Sequence, residues 1–136
     1  MKRKLIVIAV IVLTMALLFF VFRPYFIPQT IIKDGQEVMA VFYQQKDVSG
    51  DIGQIADIIK KYSAVKSFRD YTPYSQDAVC MEINMVVDHK PVHILLGDFD
   101  IWYESGNMGA YEIIDGDRLE KELNEMISRN VETAEE

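Results

Sequence analysis

From Leu5 to Phe22 the chain runs through 18 consecutive residues in which only Thr14 departs from hydrocarbon chemistry, and Lys2, Arg3 and Lys4 stand directly before it. A stretch apolar on every face has no side to turn toward water and satisfies its own backbone only as a helix. At 1.5 Å per residue it reaches about 27 Å, close to the hydrocarbon thickness of a bilayer. Arg23, Pro24 and Tyr25 then supply a cation, a helix breaker and an interfacial aromatic. A cleaved signal peptide has a shorter apolar core followed by a small-x-small site. Here the run ends Phe-Phe-Val-Phe-Arg-Pro, and the single cysteine, Cys80, lies far downstream of any lipid-attachment position. The expectation is an uncleaved signal anchor that meets the lipid bilayer through residues 5–22. The run contains no small-xxx-small pattern for helix pairing, so its role reads as anchorage.

Charge sets the expected orientation. Residues 1–27 carry four cations and no acid, whereas the remainder holds 10 Lys and Arg against 21 Asp and Glu, a net charge of −11. Cations before the span keep the N-terminus in the cytoplasm and send the rest across the cell membrane. An acidic domain of that sign repels nucleic acid and anionic lipid surfaces but stays soluble on the outer side. One cysteine excludes an intrachain disulfide.

The organisation that follows is a cytoplasmic cap and anchor at 1–27, a short stalk at 28–36 stiffened by Pro28, in which Thr30 to Ile32 offer an edge segment, a domain at 37–130 and an acidic tail at 131–136. Glu37 to Gln45 is apolar on both parities and reads as a buried strand. Asp51 and Gln54 form a partial capping box ahead of Ile52, Ile55, Ile58, Ile59 and Tyr62, which fall at helical spacing. Val65 to Asp70 is a short strand or an irregular run. Val79, Met81, Ile83, Met85 and Val87 alternate with polar residues, and after Asp88-His89-Lys90-Pro91 the alternation resumes at Val92, Ile94 and Leu96, the pattern of a hairpin. Ile101 to Tyr103 and Ala110 to Ile114 read as two further strands. Leu119, Leu123, Met126 and Ile127 line one side of a closing helix. The expected fold is α+β: a transmembrane helix, then a two-layer domain in the order β-α-β-β-β-β-α, with an antiparallel sheet of four to five strands and both helices on one face.

This plan resembles small membrane-anchored extracytoplasmic domains of unknown function from Gram-positive bacteria. The likeness lies in the anchor, the Ile-rich first helix, the stretch KPVHILLGDFDIWYES at 90–105 and the closing YEIIDGDRLEKELNEMI at 111–127. It implies a location and a fold, and assigns no residue a role.

Two residue groups stand out for function. Asp98, Asp100 and Glu104 bracket Phe99 and Trp102; paired carboxylates beside an aromatic suit sugar chemistry if they converge on a cleft, and otherwise make an acidic strand edge. Tyr71 and Tyr74 occupy a loop and suit an exposed contact surface. His89 and His93 are four apart, but straddle a turn instead of sharing a helix face, so no metal is expected there. No phosphate-binding Gly loop, nucleophile elbow or cysteine pair occurs, and no cofactor is implied. The expectation is a non-enzymatic, membrane-tethered domain that binds an envelope or membrane protein. The alternative is a small-ligand or cell-wall binding module, or a weak hydrolase, built on Asp98, Asp100, Trp102 and Glu104.

Overall fold

In a computed structural model the described residues are 2–44, 46–68, 79–106 and 109–134. The first element, α1, runs from Lys2 to Phe26 and is long and apolar enough to cross a membrane. None of its span is covered by the rest of the protein, so its side chains are exposed from Leu5 to Phe22. Pro24 falls in its last turn without ending it, and Ile27 still donates its N–H to the Arg23 carbonyl at 2.9 Å.

Beyond α1 the chain is α+β. The strands are β1 (Gln29–Thr30), β2 (Val38–Tyr43), β3 (Lys46–Asp47), β4 (Ser63–Lys66), β5 (Val79–Val87), β6 (Lys90–Gly97), β7 (Ile101–Glu104) and β8 (Tyr111–Ile113). Two helices accompany them, α2 (Ile52–Ile59) and α3 (Gly116–Ala134). All described pairings are antiparallel and join one sheet in the order β1-β4-β8-β7-β6-β5-β2-β3. The expected four to five strands are therefore eight. The additional ones, β1, β3 and β4, have two to four residues each, too short to display a period of their own.

Part of the segment read as a stalk joins the sheet, at the place where an edge segment is expected. Gln29 and Thr30 pair with Ala64 and Ser63, and Ile31 and Ile32 are buried in the core. Two apolar residues at the end of a Pro-containing segment gain more by burial than by remaining in a tether, about 1.5–3 kcal/mol each. At the other end α3 continues to Ala134, so most of the expected acidic tail is helical.

The β5–β6 hairpin organises the core. Its two-residue turn, Asp88 and His89, has φ of 47° and 66°, the left-handed pair of a type I′ turn that matches strand twist. Asp88 also accepts a hydrogen bond from the Glu37 N–H at 2.9 Å and donates its own N–H to the Glu37 carbonyl, tying the hairpin tip to the segment before β2. With that register Met81, Ile83, Met85 and Val87 face the same side as Val92, Ile94 and Leu96. Ile55 and Ile59 of α2 and Leu119, Leu123 and Met126 of α3 belong to the same core. Both helices thus cover one face.

The capping box expected at α2 does not form. A 3-10 turn at Ser49–Asp51 leads into the helix and leaves Asp51 at φ −108° and ψ 16°, outside the extended region from which a capping side chain reaches back to the first helical N–H groups. The start of α3 is held differently. A Cβ added at Gly116 would lie 2.0 Å from Cγ and 2.3 Å from Cβ of Asp100, so only glycine fits between the helix and that side chain. Replacement Gly116→Ala is expected to cost about 2 kcal/mol, in the range of other overpacked sites. A thermal melt followed by circular dichroism should show a drop of roughly 10 °C for a domain of this size; an unchanged midpoint would contradict this packing.

Candidate functional site

The acidic-aromatic group disperses over the fold. Asp98 sits exposed in the β6–β7 turn. Asp100 is turned under the first residue of α3, where its Oδ1 accepts the Gly97 N–H at 3.3 Å. Trp102 is 6 % exposed and lies in the core, tilted against the Tyr111 ring at 4.5 Å between centroids. Glu104 is opposite Val92 at the far end of β7. Four residues of extended chain place the Asp100 and Glu104 backbones about 13 Å apart. Glycosidic carboxylate pairs stand about 5–9.5 Å apart across a shared cleft; here Asp100 is packed against α3 and the Trp102 ring fills the space under the sheet between the two carboxylates. Tyr71 and Tyr74 lie outside the described residues.

Burial pushes the Asp100 carboxyl above its ordinary range; the Gly97 N–H opposes this and the nearby Asp117 adds to it. A helix N-terminus favours an anion, yet the loss of hydration outweighs that attraction here.

A polar chain that the sequence reading missed runs across the helix-free face of the sheet. Asn84 on β5 is directly opposite His93 on β6, and His93 is opposite Tyr103 on β7. Asn84 donates from Nδ2 to Glu82 Oε1 at 2.9 Å, which turns its carbonyl oxygen toward His93. That oxygen only accepts, so His93 donates from Nδ1 to it. In the neutral imidazole Nε2 is then the acceptor, and it faces Ser105 Oγ at 3.0 Å. The Tyr103 ring stacks on the imidazole at 4.7 Å between centroids and 17° between planes. Burial raises the Tyr103 hydroxyl above its usual value, with a further contribution from the Glu82 charge.

Ser105, His93 and Asn84 follow the order nucleophile, base, orienting group. Acyl transfer also needs donors for the developing oxyanion, commonly including the N–H of the nucleophile itself. The Ser105 N–H already donates to the Pro91 carbonyl at 2.9 Å. The chain's hydrogen bonds and ring stacking tie β5, β6 and β7 together across the face. Part of it was legible in advance: once the two-residue turn is recognised, hairpin counting sets position 84 opposite 93. Ser105 comes from a third strand and carries no such signal.

The same face holds Phe42 on β2, opposite Asn84, with Ala40, Val86 and Leu95 partly covered around it. No helix among the described residues covers it. On the opposite side an open groove of about 420 Å³ follows the seam between α2 and α3. It is crossed by the Lys61–Glu122 ion pair at 3.7 Å, and Arg118 pairs with Glu122 along α3 at 3.2 Å, both with exposed cations that water screens. At its inner edge burial raises the Tyr62 hydroxyl, and the Glu122 carboxylate adds to that rise. Among the described residues no group of three His, Cys, Asp or Glu side chains is arranged to hold a metal ion.

Set against known proteins, the chain matches no family model, no curated protein and no solved structure.

The Asp100 environment yields a pH prediction. A carboxyl whose folded value is raised favours the folded state while protonated, and that contribution is lost as pH rises through the folded value. Asp100→Asn keeps the acceptor for Gly97 and removes the charge. It should therefore melt above the parent protein at pH 7, and the difference should vanish at acidic pH, below the ordinary Asp value near 3.8. A variant that melts lower at pH 7, or an offset independent of pH, would contradict this assignment.

Proposed function

We propose that the protein is a single-pass membrane protein whose domain stands outside the cell membrane and binds another envelope or membrane protein through the helix-free face of its sheet. The observation that carries the interaction reading is that face: aromatic and apolar side chains set among a hydrogen-bonded Glu82–Asn84–His93–Ser105 chain, with no helix above it among the described residues. Rigid aromatics beside satisfied polar groups lose little entropy on binding and are enriched in recognition surfaces. The apolar surface of α1 from Leu5 to Phe22 supports the tether, since it is exposed and gains by entering lipid. The cations before the span, against an acidic remainder, support a cytoplasmic N-terminus and an extracytoplasmic domain.

The scale of the face favours a transient partner. Four strands about 4.8 Å apart, with six, nine, eight and four residues, offer roughly 430 Å², whereas a standard interface takes about 800 Å² per partner. Covalent capture in intact membranes is therefore a more suitable test than co-purification. A photoreactive residue at Phe42 or Tyr103 should yield a discrete adduct absent when the probe stands at Asp57, on the exposed side of α2. In a chain carrying the probe at Tyr103, Phe42→Asp should reduce capture about tenfold or more, as expected for loss of an interface anchor, with the melting profile retained. Equal capture from both faces, or none from either, would remove the interaction reading. The same experiment at Tyr71 and Tyr74 tests the loop expected to contribute.

Orientation has its own measurement. Cys80 is exposed and is the only thiol. A membrane-impermeant maleimide should label it in intact cells; labelling only after disruption would reverse the topology.

A further inference from the structure

We infer that the end of the domain nearest α1, with Phe68 at its tip and Lys66 beside it, lies in the headgroup layer of the bilayer that α1 crosses. The inference rests on the membrane-spanning reading of α1 and adds to it a second, peripheral contact made by the folded domain.

The first argument is the short connection. The helix persists to Phe26, and by Gln29 the chain is already paired with β4. Only Ile27 and Pro28 intervene, and two residues span at most about 7 Å. The domain has no slack with which to stand away from the helix end.

The second is direct packing. The Tyr25 ring stacks on Phe68 with centroids 4.1 Å apart and planes 19° apart, and the Phe26 ring stands 6.3 Å from Phe68. Lys66 on β4 holds its Nζ 5.4 Å from the centre of the Tyr25 ring, from a stem that passes over Gly109. Helix end and sheet edge therefore move as one unit.

The third is what this junction leaves bare. Phe26 is 71 % exposed and Phe68 67 %, and outside α1 no other large apolar side chain among the described residues exceeds 43 %. The apolar run ends at Phe22, one bilayer thickness from its start, so Arg23 to Phe26 stand at headgroup depth. Phe68 is in ring contact with that turn. Aromatics and snorkelling cations are the side chains that gain at this depth, and Arg23 and Lys66 supply the charge complementary to lipid phosphate. The remainder of the domain, net −11, is repelled by anionic lipid, which confines contact to this end.

The test uses the full chain in vesicles of phosphatidylcholine and phosphatidylglycerol, brominated either just below the headgroup or near the chain ends. Trp102, buried in the core, is the only native tryptophan, so the parent protein supplies an unquenched background. Phe68→Trp retains an aromatic for Tyr25 to stack on. Its added fluorescence should shift to the blue and be quenched several-fold more by shallow than by deep bromines. Leu13→Trp, at mid-span, should show the opposite depth preference. If Leu13→Trp is quenched and Phe68→Trp is not, the anchor stands and the headgroup contact is overturned. If neither is quenched, the anchor reading fails and the inference fails with it.

Discussion

The register of the β5–β6 hairpin is the constraint from which the rest of the domain follows. Side chains alternate across a strand, so a slip of one residue would exchange every inward and outward group. Asp88 and His89 in left-handed conformation allow only two residues between Val87 and Lys90. With the turn set, seven apolar residues of two strands face α2 and α3, while Glu82, Asn84 and His93 face the other way. Neighbouring strands inherit that division: Val41 and Trp102 are inside, Phe42 and Tyr103 outside.

The two faces then acquire different physics. The covered face is dry, and even its aromatic polar atoms are short of partners: the Trp102 Nε1 and Tyr62 hydroxyl are buried without a hydrogen bond of full geometry. Such groups cost roughly 1–3 kcal/mol each, a cost offset by the area their rings bury. The open face satisfies its polar groups in a chain and leaves aromatic surface accessible. That accessible aromatic surface is what the proposed interaction rests on.

How far the sequence foretold this depended on whether neighbours in space were also neighbours in chain order. The hairpin and the inward faces of both helices could be read from periodicity, because each belongs to one element or one tight turn. The strands β1 and β4 could be offered only as alternatives and β3 not at all, since two to four residues have no period; β1 and β4 gain their identity from partners far along the chain. The same reason separates the candidate residues. Asp98, Asp100, Trp102 and Glu104 are close in sequence and share one parity, yet Asp98 and Asp100 precede the strand, Asp100 is packed against the start of α3, and the Trp102 ring stands between Asp100 and Glu104. Ser105 and Asn84 are distant in sequence and share one imidazole.

The sequence by itself determined that an apolar helix leads an acidic α+β domain, because hydrophobic length, charge and period are properties of contiguous residues. The tertiary structure decided that the supposed stalk is an edge of the sheet, that the acidic group does not converge and that Tyr25 meets Phe68. Each of those depends on which long-range pairing buries the most apolar surface while satisfying the backbone, and that is resolved only when the whole chain packs at once.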